Sequence, residues 1–82
     1  MQSPTRPPKR MILTFARPLS QEDYERQEGI IETPDGPLYF MVGDFLMRHH
    51  GREHVMSKEH MEQEYGFVLG SRTEWACYRL LN

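Results

Sequence analysis

The sequence predicts a small α+β fold, a meander of short antiparallel strands packed by one or two short helices. Three observations predict it. Turn signals recur closely between residues 33 and 52 and separate short β-prone runs. Ser57 precedes a helical stretch with apolar residues on one face. The chain has 82 residues, 38% of them hydrophobic, which is enough for one core and one domain at most.

The elements follow in order. Residues 1–10 hold three prolines, the bases Arg6, Lys9 and Arg10, and no acid, and they read as an extended, solvated basic arm ahead of a domain at 11–82. The run MILTFAR alternates Met11, Leu13 and Phe15 against Ile12, Thr14 and Ala16, and it ends at Pro18, as a strand does. Ser20 can cap a helix through its hydroxyl, with Asp23 three residues on, but QEDYERQE has little apolar face besides Tyr24. That stretch reads equally as a short helix or a loop.

Ile30 and Ile31 begin a second strand. Thr33-Pro34-Asp35-Gly36 is a turn in which proline fixes φ and Gly36 accepts a positive φ. LYFMV is a third strand, Gly43-Asp44 a second turn, FLMR a fourth strand, His49-His50-Gly51-Arg52 a polar turn and HVM a fifth strand. Gly36, Gly43 and Asp44 are the turn residues expected to determine the fold, Asp44 by accepting bonds from nearby amides. Ser57 then caps KEHMEQEY, where Met61 and Tyr65 share a face and Gly66 is placed for a left-handed end. Phe67-Val68-Leu69 is extended before a turn at Gly70-Ser71. The final EWACYRLL fits a helix capped by Thr73 or a strand, and periodicity does not decide between them.

Net charge is −2, unevenly spread. Residues 1–10 carry +3, whereas residues 11–82 hold seven bases against twelve acids. An acidic domain repels phosphate backbones, so duplex nucleic acid is not an expected partner of the domain itself. One cysteine, Cys77, makes no internal disulfide, which points to a reducing cytoplasm. No signal peptide and no membrane-spanning run are read from the chain.

Residues 30–65 resemble a family of small phage, prophage and bacterial proteins of unknown function. The resemblance rests on Gly36, on Gly43-Asp44-Phe45, on Arg48, Gly51 and Glu53, and on Met61 and Tyr65 in a following helix. Val42 stands where the family usually has proline, Phe45 where it has tryptophan, and Met61 where its helix carries an aromatic residue. The second hairpin is about one residue shorter, and EWACYRLLN lies outside the resemblance, which covers roughly half the chain. It implies an origin near mobile elements and a packing of Phe45, Met61 and Tyr65 where the helix covers the sheet. It implies no chemistry.

Candidate chemical groups are few. His49, His50 and His54 lie in HHGREH, with His60 beyond, and imidazole is a common metal ligand. Zinc sites use tighter motifs, and adjacent strand residues point to opposite faces, so His49 and His50 are expected to diverge and no metal or other cofactor is expected. Cys77 lacks the base and oxyanion donors of a thiol nucleophile. Glu59, Glu62 and Glu64 read as a solvated helix face. Surfaces remain: Tyr24, Tyr39 and Trp75 are possible anchors against a basic partner. The expectation is a non-enzymatic protein-interaction module of phage or prophage origin that binds a basic protein surface. Asp35, Glu59, Glu62 and Trp75 are its candidate contacts. One version inhibits a host nucleic-acid-handling machine, as anti-CRISPR proteins do, by presenting acids in place of nucleic acid. A second is a phage structural or assembly accessory protein. A small metal-binding or hydrolytic protein is a third.

Overall fold

A computed structural model describes residues 13–81; the arm expected at 1–10 lies outside them. Strand β1 (Leu13–Pro18) is followed by helix α1 (Gln21–Gln27), then by β2 (Ile30–Thr33), β3 (Gly36–Tyr39), β4 (Phe45–His49) and β5 (Arg52–Met56). Helix α2 (Lys58–Glu64) leads directly into β6 (Tyr65–Gly70), and β7 (Ala76–Leu80) closes the described chain. The fold is α+β, as the residue pattern predicts. Five strands form one antiparallel sheet in the order β5-β4-β1-β7-β6, while β2 and β3 form a separate two-stranded sheet.

Local chemistry explains most boundaries. Ser20 and Asp23 form a reciprocal capping box, so the stretch that reads as helix or loop is a helix, and Glu28 ends it in the left-handed region at φ 56°. The β2–β3 turn is held by Thr33, whose hydroxyl accepts from the Asp35 amide at 3.1 Å and donates to the Gly36 carbonyl at 2.6 Å. The β4–β5 connection is His50-Gly51, both at positive φ, the tight two-residue turn that matches strand twist. Gly43 adopts φ 97°, and Asp44 accepts from the Met41 amide at 2.9 Å.

Two expectations about boundaries are corrected. The run LYFMV is strand only to Tyr39, because Phe40 turns inward to full burial and Met41-Val42 enter the Gly43 turn. Gly66 does not end α2 in a left-handed cap. The helix stops at Tyr65, already extended at φ −129°, because Tyr65 and Gly66 must pair with Leu80 and Arg79. The final segment is a strand rather than a helix, since β7 fills the place between β1 and β6 and supplies partners to both.

Each face of the large sheet buries its own apolar cluster. On the first face, Ala16, Met47, Ala76 and Tyr78 pack under Met61 of α2, with Phe45, Met56, Tyr65 and Phe67 around them. Phe45, Met61 and Tyr65 thus enter one cluster where α2 covers the sheet. On the second face, Leu46, Val55 and Trp75 pack with Leu19 and Phe40 and with Tyr24, Ile31 and Leu38 of α1 and the β2–β3 hairpin. Consecutive residues such as Leu46 and Met47 enter different clusters because strand side chains alternate. The two helices therefore lie on opposite faces of the sheet.

Candidate functional site

The lobe formed by α1 and the β2–β3 hairpin is anchored through a buried carboxylate. Asp23 is 3% exposed and accepts from Arg17 Nη2 and Arg26 Nη2, both at 2.6 Å, and from the Ser20 amide and hydroxyl at 2.9 and 3.0 Å. Burial alone pushes its pKa up, but the Ser20 hydrogen bonds and the Arg17 guanidinium more than offset that and hold it below the ordinary carboxyl value. Arg17 belongs to β1, so this cluster ties the lobe to the central strand of the sheet. Tyr24 then meets Phe40 edge-on at 5.8 Å, closing the lobe over the second apolar cluster.

Register sorts the hairpin side chains. Ile31 and Leu38 are partners and face the core, so the neighbouring pairs Ile30–Tyr39 and Glu32–Pro37 share the outer face. Tyr39 is 71% exposed there, diagonal to Glu32. Met41, 66% exposed, and Val42 continue this apolar strip beyond the strand.

The lobe also concentrates charge. Between Gln21 and Phe40 the acids are Glu22, Asp23, Glu25, Glu28, Glu32 and Asp35, and the only base is Arg26, a net −5. The other described residues hold six acids and six bases, so together they sum to zero, although α2 itself holds Lys58 against Glu59, Glu62 and Glu64. The domain's whole excess of negative charge therefore sits in one layer on one face of the sheet.

The predicted contact residues fall in three places. Asp35 is exposed at the hairpin turn, within the lobe. Glu59 and Glu62 are exposed on α2, which packs on the opposite face. Trp75 is half-buried in the second apolar cluster, with the Arg48 guanidinium 4.6 Å from its ring centre. Asp35 thus stands in a different layer from Glu59 and Glu62, and the acids singled out from sequence do not form one patch. Glu22, Glu25, Glu28 and Glu32 belong to the acidic layer and are not among the contacts predicted from sequence. Their signal is in the sequence, as a run of acids interrupted by a single base.

The histidines depart from expectation. His49 and His50 do not diverge: their rings meet edge-on at 4.1 Å, because His50 takes φ 51° in the turn and leaves strand geometry. Among the described residues, no three His, Cys, Asp or Glu side chains converge to hold a metal ion. His60 is paired with Glu64 at 2.6 Å. Cys77 is buried in β7 as a free thiol. No helix of the described residues is long and apolar enough to cross a membrane.

Compared with known proteins, the chain matches no family model, no curated protein and no solved structure.

Proposed function

We propose that the domain is a non-enzymatic protein-interaction module that offers its α1–hairpin lobe to a basic protein surface. The observation that carries this reading is the segregation of charge: −5 on the lobe and balance elsewhere among the described residues. A concentrated field of this kind steers a basic partner and repels phosphate backbones. The exposed Tyr39 and Met41 beside the acids supply the apolar anchors that such an interface uses once water leaves. In this reading the lobe's acids stand in for nucleic acid in the basic groove of a host nucleic-acid-handling machine. The Gly43-Asp44-Phe45 turn and the α2 packing favour a phage or prophage origin, by resemblance. The single buried thiol of Cys77 is in keeping with a reducing, cytoplasmic setting.

A pull-down from bacterial lysate with three baits tests the reading. The wild-type chain and the α2 variant Glu59→Lys/Glu62→Lys should capture the same basic protein, and the lobe variant Glu25→Lys/Glu32→Lys/Asp35→Lys should not. Equal capture by all three baits refutes it.

A second reading, an accessory component of a phage particle or assembly, is favoured by one observation. On the second sheet face, away from the lobe's cluster, Leu13, Phe15 and Leu69 are 46%, 56% and 64% exposed around Cys77. Uncovered apolar sheet surface of this kind is typical of assembly contacts.

A further inference from the structure

Helix α2 has only seven residues, and it reaches the first face of the sheet through one buried side chain, Met61. So short a cover leaves part of that face open. Phe45, Tyr78 and Phe67 fill their share through edge-on ring contacts at 6.1 and 5.7 Å. Elsewhere on the face lies a cavity of about 260 Å³. Its apolar walls are Met47, Met56 and Leu80, with the ring of Tyr65.

The polar groups of the cavity are His49, His54 and Thr14. The Thr14 hydroxyl is engaged, donating to the Arg48 carbonyl at 3.0 Å. The two imidazoles come from adjacent strands and reach the same face, because His54 pairs with Met47 and His49 with Arg52. The same register puts Arg52 on that face too, beside His49, as a fixed positive charge. No residue lining the cavity is acidic. Glu53 leaves on the opposite face, paired with Arg48 at 2.8 Å, and on α2 Glu64 is taken by His60.

We propose that this trough binds a small amphipathic carboxylate, with its apolar body against the methionines, Tyr65 and Leu80 and its carboxylate toward His49 and His54. The walls demand an apolar body, and the donors, with Arg52 beyond them, demand an anion rather than a cation. The volume lies just under the range of about 300–1,000 Å³ usual for small-molecule sites, which suits a ligand of one or two rings. This site is independent of the acidic lobe and stands on the other face of the sheet.

An NMR titration of the full chain with 1-naphthoate, and in parallel with its neutral counterpart 1-naphthalenemethanol, tests the proposal. At about pH 6, 1-naphthoate should give saturable shifts at Met47, Met56, Tyr65, Leu80, His49 and His54. It should bind about tenfold more tightly than the alcohol, the expected gain from one charge-assisted hydrogen bond. His54→Gln, an exposed position, should remove that advantage while leaving the rest of the spectrum native. Absence of saturable shifts, shifts centred on the lobe, equal affinity for the two ligands, or a retained advantage in His54→Gln would each overturn it.

Discussion

Asp23 is the residue on which the lobe turns. Its carboxylate is buried, yet it binds two guanidinium groups and the start of α1. Removing one member of a buried pair leaves the others uncompensated. Arg26 is half-exposed and Arg17 partly so, which discounts the loss, so Asp23→Ala should cost about 2–4 kcal/mol in denaturant unfolding. The pH dependence follows from the depressed pKa. A carboxyl held below its unfolded value of about 3.9 contributes stability above that value and loses it as pH falls through the folded pKa. Wild-type protein should therefore lose melting temperature below about pH 4 more steeply than Asp23→Asn does. Parallel pH profiles would show that Asp23 does not carry the effect. From sequence, Asp23 is legible only as part of a cap. Its Arg17 partner depends on how β1 enters the helix, which no local pattern states.

Glycines separate strain from collision. At Gly43 a side chain would meet open space but sit at φ 97°, whereas at Gly70, at φ 119°, a Cβ would lie 2.7 Å from the Ala76 Cα. Gly43→Ala should cost about 1–2 kcal/mol from backbone strain alone, and Gly70→Ala clearly more, because the β6–β7 backbones must also part. Equal losses in urea melts would mean that the close approach of β6 and β7 is not tight. The Gly43 turn is readable in advance because Gly-Asp is local chemistry. The demand on Gly70 comes from Ala76 across the sheet and is not.

At the scale of elements, α2 hangs on one buried side chain, Met61. Met61→Ala should cost about 2–5 kcal/mol, the usual range for truncating a buried methionine, and should loosen the first-face cluster before the second. Hydrogen exchange would check this. Amides of α2 and β6 should lose protection while those of α1 and β2 keep theirs. Uniform loss would indicate a single cooperative unit. Turns and caps at Ser20, Thr33, Gly43, His50-Gly51 and Ser57 are legible from sequence, because proline, glycine and hydroxyl residues act within a few bonds. The end of α2 and the state of EWACYRLL are not. Trp75, Tyr78 and Leu80 suit helix or strand alike, and the choice is made by β1, some sixty residues earlier in the chain, whose edge away from β4 is unpaired until β7 arrives.

At the scale of the whole molecule, charge and layer coincide. The acidic run at Glu22–Asp35 is visible in the sequence as composition, and its single base, Arg26, is plain. What is not visible is that Glu59 and Glu62 fold onto the other face, since that depends on which strand residues Tyr24 and Met61 cover. The separation makes the lobe an acidic surface backed by a neutral body. Such a surface accelerates encounter with a basic partner, and the acceleration fades as the Debye length falls from about 10 Å at 0.1 M salt to about 3 Å at 1 M.

The most direct measurement is therefore the association rate of the captured partner against ionic strength, for wild type, Glu59→Lys/Glu62→Lys and Glu25→Lys/Glu32→Lys/Asp35→Lys, each first shown to melt as the parent does. Wild type and the α2 variant should share one steep fall with salt, and the lobe variant should associate at least about tenfold more slowly at low salt with little salt dependence. A rate indifferent to salt, or one that α2 reversal lowers as much as lobe reversal, would contradict the claim that the lobe is the binding surface.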